Sequence, residues 1–243
     1  MRAGPAAEIM SAEQTLGLSP LPETPVDALG PLIREHVLIE SRTIIIERPG
    51  ESERLLDHPF VTEAFAKDEY LPYWADLWPA ARMLAKAIIR EPWTPGTEAL
   101  EIGCGLGLPG IAALSVGLRV TFSDYDATAL RFAALNAQIN GFDQFKVLQM
   151  DWRNPPVDLR FPVVLASDLI YELRNVDPVV SLIKGVLVPG GICLLTDQDR
   201  VHSQALRDRL AVEGLEFTSQ IARAGEPGGR RVKGSLYRII HQR

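Results

Sequence analysis

The chain has 243 residues, of which 47% are hydrophobic and 23% are charged, so it can bury the core of one large domain. Its formal net charge of −6 at pH 7 disfavours a general affinity for nucleic acid or for an anionic membrane. The N-terminus lacks the apolar stretch of a secretory signal, and no apolar run approaches the roughly 18 residues of a membrane span. We therefore expect a soluble, cytoplasmic protein with neither a membrane nor a nucleic-acid partner.

The N-terminal part of the sequence predicts a leader and an extension ahead of the main domain. Residues 1–30 carry several prolines among small and polar residues, which predicts a flexible leader. Residues 31–69 are the predicted extension. Within it, two β-branched runs in 36–47 predict a short hairpin, and 54–68 favours a helix. The main domain is expected to occupy 70–243.

From about residue 97, short apolar runs alternate with helical stretches, a pattern typical of βαβ units in a parallel sheet. The predicted strands lie at 98–103, 119–125, 145–151, 161–169, 191–197, 215–222 and 235–242. The predicted helices lie at 108–116, 127–140, 174–187 and 201–213. Glycines and charges in 223–234 leave no room for a helical crossover, so the last two strands should pair as an antiparallel hairpin. The fold class is thus α/β, Rossmann-like and doubly wound, with a mostly parallel seven-stranded sheet.

The first of these strands runs into a glycine-dense turn, EIGCGLGLPG, at 101–110. Gly103, Gly105 and Gly107 tolerate positive φ and carry no Cβ, so a ligand can lie directly against the backbone. The turn also satisfies the dinucleotide fingerprint G-x-G-x-x-G, and the glycines alone do not choose between NAD and S-adenosylmethionine. Glu101 decides the preference, because a carboxylate is unfavourable beside a pyrophosphate and acceptable near a sulfonium and an α-ammonium.

Acidic residues follow the second and third strands. Asp124 lies about twenty residues after the glycines, where a carboxylate can accept hydrogen bonds from a ribose diol. Asp126 is predicted to cap the next helix. Asp151 and Trp152 offer an acceptor for an adenine amino group beside an aromatic surface, and the alternative is a loop aspartate with a core tryptophan. Together these residues predict a nucleoside site.

The cysteines and histidines predict no metal site. Cys104 and Cys193 are expected at strand ends, without the spaced pairs of a disulfide framework, as in a reducing compartment. The four histidines are scattered and none has a partner at i,i+4. We expect neither a disulfide nor a bound metal ion.

With these motifs in order, the segment from about 70 to 200 resembles the seven-β-strand methyltransferases. It is most similar to a protein-lysine subgroup that includes the enzymes acting on the electron-transfer flavoprotein β-subunit and on chaperones. The likeness is carried by WADLWPA at 74–80, by the glycine turn, and by SDLIYE at 167–172. It implies that Trp78 belongs to a segment closing over the cofactor S-adenosylmethionine. It also implies that Asp168 and Tyr171 line the acceptor-lysine channel; for Asp168, a helix N-cap is the alternative.

The resemblance implies methyl transfer to a lysine of a protein substrate. A small-molecule methyltransferase would share every cofactor residue, and a non-catalytic S-adenosylmethionine-binding module would share the motifs as well. An NAD-dependent oxidoreductase is a third alternative. An N-P-P-Y/F motif, typical of amide or base methylation, is absent, since 167–170 reads SDLI. This absence disfavours a nucleic-acid acceptor, and the resemblance implies a protein acceptor.

Overall fold

The computed structural model describes residues 10–11, 23–199, 201–225 and 231–242. Within these ranges the strands are β1 (Met10–Ser11), β2 (Leu32–Ile39), β3 (Arg42–Pro49), β4 (Glu98–Ile102), β5 (Arg119–Asp124), β6 (Lys146–Gln149), β7 (Phe161–Ser167), β8 (Leu187–Asp197), β9 (Glu216–Ala224) and β10 (Val232–Ile240). The α-helices are α1 (Pro59–Asp68), α2 (Pro79–Arg90), α3 (Leu108–Ser115), α4 (Ala127–Ile139), α5 (Val176–Val186) and α6 (Ser203–Val212).

The main sheet has the strand order β1-β6-β5-β4-β7-β8-β10-β9. Strands β4 to β8 run parallel to one another, and β10 is antiparallel to both β8 and β9. The predicted α/β fold, with seven strands β4 to β10 and an antiparallel C-terminal hairpin, is confirmed. The two-residue β1 extends the sheet beside β6. The strand order reverses at β4, between β5 and β7, which is where doubly wound folds bind ligands.

Helices cover both faces of this sheet. Helices α2, α3 and α4 pack on one face, in a core that includes Leu165 of β7. Helices α5 and α6 pack on the other face, in a core that includes Val164. Successive side chains of a strand point to opposite faces, so a strand that is buried on both sides needs apolar residues at consecutive positions. This explains the nearly continuous apolar run of β7.

Helix α2 has no counterpart among the predicted elements. Its sequence carries the signals of a helix, because Pro79 stands in the first turn and the following residues are good helix formers. Ala80, Leu84 and Ile88 recur every four residues and are fully buried. The helix therefore presents a continuous apolar stripe to the sheet, and this spacing could have revealed it.

The predicted hairpin of the extension is confirmed and is longer than 36–47, since β2 pairs with β3 from Leu32 opposite Pro49 to Ile39 opposite Arg42. Two amides of α4 hold it on the main domain. The side chain of Asn136 accepts from the N–H of Glu47 at 2.7 Å, and that of Asn140 accepts from the N–H of Ile45 at 2.9 Å. These bonds fix the extension against α4.

Most of the predicted leader lies outside the described residues, which include only 10–11 and 23–30 of it. Thr24 in the described part is fully buried. Its hydroxyl donates to Oδ2 of Asp126 at 2.6 Å, and its N–H donates to Oδ1 at 3.3 Å. This end of the leader is therefore attached to the start of α4.

Three further features concern the rest of the sequence. The tip of the predicted hairpin loop, 226–230, lies outside the described residues, while the strands on either side pair as expected. Both cysteines are buried with free thiols. Across the described ranges, no helix is long and apolar enough to cross a bilayer.

Candidate active site

A crevice of about 450 Å³ opens at the carboxyl ends of the parallel strands, where the strand order reverses. Its walls come from the segment before α2 and from the loops that follow β4, β5, β6 and β7. Nine of the ten predicted site residues line it: Trp78, Gly103, Gly105, Gly107, Asp124, Asp151, Trp152, Asp168 and Tyr171. The structure thus brings together residues that are up to 93 positions apart in the sequence, from Trp78 to Tyr171.

The glycine loop between β4 and α3 adopts the backbone conformation that its sequence predicts. Gly103, Gly105 and Gly107 have φ values of +58°, +50° and +82°, a region that side-chain-bearing residues rarely adopt. A Cβ on Gly103 would lie 2.6 Å from Leu169 and 3.2 Å from the ring of Trp152. The loop therefore depends on glycine for its shape and exposes bare backbone to the crevice.

Glu101 departs from the prediction, because its carboxylate lies behind the glycine loop and does not line the crevice. It is 1% exposed, and its Oε2 accepts from the N–H of Gly110 at 2.9 Å. No hydrogen-bond partner for Oε1 is found among the described residues. Burial, with a smaller contribution from Asp124, raises the pKa of this carboxyl well above its usual range. Strand alternation places Glu101 on the face of the sheet under α3, where its hydrogen bond with Gly110 stabilises the first turn of that helix.

Asp124 connects the end of β5 to the glycine loop. Its Oδ2 accepts from the N–H of Gly105 at 2.8 Å, and its Oδ1 accepts from the N–H of Asp126 at 3.1 Å. Burial raises the pKa of Asp124 to about 6, against these backbone hydrogen bonds, which favour the charged form. An ionised carboxylate has about four lone-pair positions, so it can still accept hydrogen bonds from a diol.

Asp126 caps α4 as predicted, and it also anchors the segment that crosses the mouth of the crevice. Besides the N–H of Thr128 at 2.6 Å, it accepts hydrogen bonds from Thr24 and from the hydroxyl of Tyr70. The indole N–H of Trp74 donates to the Tyr70 oxygen at 3.3 Å. These contacts hold the tryptophan-bearing segment over the glycine loop. The two segments are close, because a Cβ on Gly105 would lie 3.4 Å from the Trp74 carbonyl oxygen.

Asp151 and Trp152 follow β6 on the wall of the crevice. Both carboxylate oxygens of Asp151 accept from Nε of Arg153 at 2.9 Å. The other nitrogens of this guanidinium donate to Asp68 at 2.6 and 2.7 Å. Arg153 thereby lowers the pKa of Asp68 and joins the end of α1 to this wall. The sequence prediction missed Arg153, and only its position beside the Asp-Trp pair could have suggested it.

Asp168 is held at the end of β7 in an unusual conformation. Its φ is +58°, which is rare for a residue with a side chain and recurs at functional sites. Its N–H donates to the carbonyl of Thr196 at 2.9 Å, and its Oδ2 accepts from the amide of Gln198 at 2.5 Å. The N-cap alternative is wrong, because α5 begins at Val176 with Asn175 as its N-cap.

Tyr171 belongs to an aromatic wall of the crevice that consists of Tyr73, Trp78 and Tyr171. The Tyr73 ring packs edge-on against Tyr171 with centroids 5.2 Å apart, and against Trp78 with centroids 6.0 Å apart. Burial raises the pKa of Tyr171 to about 12, so the phenol is neutral at physiological pH. The wall is apolar with hydroxyl groups at its edge. Tyr73 was missing from the predicted site, although it directly precedes the WADLWPA motif.

The crevice carries an excess of negative charge. Its described lining contains two basic residues, Arg153 and Arg174, and eight acidic ones: Asp68, Glu69, Asp76, Asp124, Asp126, Asp151, Asp168 and Glu172. Each arginine is already paired with two of these acids. Such a crevice favours a cationic ligand over a pyrophosphate. A sulfonium-bearing nucleoside fits this charge, and the bare glycine backbone and Asp124 supply partners for its uncharged parts.

Comparisons with known proteins agree with this geometry. Residues 100–193 match the family model of a methyltransferase domain. That range runs from β4 to β8 and contains the glycine loop and the acidic strand ends. Over this range the chain is thus similar to methyltransferase domains, and the sheet around it has the Rossmann-like order of a doubly wound fold.

Several curated protein methyltransferases share part of this sequence. A histidine protein methyltransferase 1 homolog of Dictyostelium discoideum is 36% identical over 109 residues, which cover 42% of this chain and 35% of that protein. The human histone-arginine methyltransferase METTL23 is 30% identical, covering 44% of this chain and 60% of the relative. The zebrafish (Danio rerio) electron transfer flavoprotein beta subunit lysine methyltransferase is 29% identical over a match that covers 42% of this chain and 40% of that protein. The chain therefore spans less than two thirds of the length of each of these relatives.

Solved structures share the fold at lower sequence identity. Ribosomal protein L11 methylase from Lactobacillus delbrueckii subsp. bulgaricus superposes with a TM-score of 0.55 at 21% identity, covering 68% of this chain and 79% of that one. TrmN from Thermus thermophilus gives a TM-score of 0.54 at 20% identity, over 65% of this chain and 48% of that one. At these identities the likeness concerns the fold alone.

Proposed function

We propose that this protein is an S-adenosylmethionine-dependent N-methyltransferase that acts on a lysine side chain of a protein. The carrying observation is that one acidic crevice joins the glycine loop and Asp124 on one side to Asp168 and Tyr171 on the other. Similarity to methyltransferases acting on histidine, arginine and lysine of proteins supports a protein substrate. A primary ammonium suits the acidic lining better than a neutral imidazole does. The cytoplasmic location remains a prediction.

In this proposal the cofactor side is formed by Gly103, Gly105, Asp124 and the Asp151-Trp152 pair. The loop backbone would lie against the cofactor, Asp124 would accept hydrogen bonds from the ribose hydroxyls, and the ring of Trp152 would flank the base. When bound, S-adenosylmethionine supplies a methyl group that is activated by a sulfonium. Glu101 acts indirectly, because it holds the first turn of α3 and so keeps the loop in shape.

On the acceptor side, Asp168 and Tyr171 align an amine with the methyl group. Transfer is an in-line displacement: the nitrogen lone pair forms the new N–C bond, and the electrons of the S–C bond remain on sulfur. A lysine has an ordinary pKa of about 10.4, so its ammonium must first lose a proton to solvent. The apolar rings of Tyr73, Trp78 and Tyr171 lower that pKa by desolvation, and the sulfonium lowers it by repulsion. The charge of Asp168 acts in the opposite direction, and its role is to orient the amine.

The proposal is tested by incubating the protein with methyl-labelled S-adenosylmethionine and an extract of cells that lack it. We expect label in a discrete band that resists nuclease and is destroyed by protease, and hydrolysis of the band should yield methyl-lysine. Gly105→Val, whose side chain at a positive φ would press on the Trp74 backbone and distort the glycine loop, is the cofactor-deficient control. Methyl-histidine or methyl-arginine would correct the residue type. Label found only in small molecules would favour a metabolite acceptor, and no transfer at all would favour a non-catalytic binding module.

A further inference from the structure

Gln198 follows the last residue of β8 and is not among the residues that line the crevice. Its half-buried side chain crosses to the end of β7, where the amide nitrogen donates to Oδ2 of Asp168 at 2.5 Å. We propose that Gln198 is a positioning residue, which sets the Asp168 carboxylate in the orientation that receives the acceptor amine. This inference rests on the proposed function.

The end of β8 also holds the main chain of Asp168. The last residue pair between β7 and β8 is Ser167 opposite Thr196, and the carbonyl of Thr196 then accepts the N–H of Asp168 at 2.9 Å. The left-handed backbone of Asp168 turns its side chain away from the path of a regular strand. The carbonyl of Thr196 in β8 and the amide of Gln198 just after β8 therefore each make a hydrogen bond that helps to orient this carboxylate.

Methyl transfer is sensitive to such placement. An in-line displacement needs the nucleophile aligned with the methyl carbon and the leaving sulfur, and a misplacement of about 1 Å can lower the rate on the order of 100-fold. Without the Gln198 amide, the Asp168 carboxylate loses one of the contacts that orient it. A hydrogen bond to an ionised group contributes about 1.5–3 kcal/mol, which corresponds to a rate loss of about tenfold or more.

The experiment compares Gln198→Leu with the wild type and with Gln204→Leu. Gln204 is a matched control, because it forms a similar amide-to-carboxylate bond, to Asp208 at 2.7 Å, on an exposed face of α6. Transfer of labelled methyl is followed at increasing amounts of the extract, and S-adenosylhomocysteine affinity is measured by calorimetry. We expect Gln198→Leu to lower the saturating rate about tenfold or more, while its ligand affinity stays within about twofold of wild type. Gln204→Leu should match the wild type in both.

Gln198→Glu provides a readout that a merely structural role would not affect. A protonated glutamic acid can donate to Asp168 as the amide does, whereas an ionised glutamate would repel it. The activity of this variant relative to wild type should therefore be higher at about pH 6 than at about pH 8. A constant ratio would overturn the inference.

The outcomes separate the inference from the proposed function. If the wild type transfers methyl and Gln198→Leu does so equally fast, Gln198 has no positioning role and the proposed function stands. If Gln198→Leu loses S-adenosylhomocysteine binding, the residue supports the fold and the inference is wrong. If the wild type transfers no methyl, the proposed function and the inference fall together.

Discussion

Asp124 allows the cofactor side of the crevice to be tested by pH. Only the ionised carboxylate accepts two hydrogen bonds from a ribose diol, and burial raises its pKa to about 6. S-adenosylhomocysteine should therefore bind well above this pH and progressively more weakly as the pH falls through it. At about pH 5 only about a tenth of the carboxyl groups are ionised, so the affinity should fall about tenfold, or about 1.4 kcal/mol. Calorimetric titration across this range measures the change.

Asp124→Asn is the control for this pH dependence. The amide retains an oxygen acceptor but has lost the titrating group, so binding should be weaker at every pH and nearly constant between about pH 5 and 8. Glu101 is another buried carboxyl near the loop, and any slope that remains in the variant would report on the remaining carboxyl groups. Two results would refute the reasoning: an affinity of the wild type that does not change with pH, or the same slope in wild type and Asp124→Asn.

Three further predictions concern other parts of the site. Gly105→Val should weaken S-adenosylhomocysteine binding by about tenfold or more, because a side chain at this positive φ would press on the Trp74 backbone and distort the loop. The control is Gly141→Val, at a glycine that also has a positive φ but has open space around it. This variant should bind S-adenosylhomocysteine as the wild type does, and equal losses of affinity in both variants would point to general backbone strain. Asp168→Ala should leave that affinity within about twofold while methyl transfer to protein is lost; parallel loss of both would place Asp168 in the cofactor site. Asp126→Ala should lower the free energy of unfolding in urea by about 2–4 kcal/mol, since several buried donors lose their acceptor, whereas exposed Asp143→Ala should change it by less than about 0.5 kcal/mol.

The sequence was sufficient to predict strands β4 to β10 and the glycine loop, whereas β1 lies in the part that was predicted as a flexible leader. Strands buried on both faces leave continuous apolar runs, and positive φ leaves glycines, so both features are local in the chain. Helix α2 was also readable from the four-residue spacing of its apolar residues. It was missed because only the motif that precedes it was interpreted.

The orientation of individual side chains could not be predicted in the same way. Glu101 points under α3 because strand alternation and the packing of that helix decide its direction, and neither is contained in the motif. The contacts of Asp126 with Thr24 and of Asp168 with Gln198 join residues 102 and 30 positions apart. Such pairs become neighbours only after the sheet has formed.

The most direct test of the whole account is a crystal structure of the protein with S-adenosylhomocysteine. We predict the ribose hydroxyls within hydrogen-bond distance of Asp124, the base beside Trp152, and the sulfur directed toward Asp168 and Tyr171. A ligand bound outside the crevice, or one whose sulfur faces away from Asp168 and Tyr171, would contradict the claim that a single crevice unites the cofactor and the acceptor.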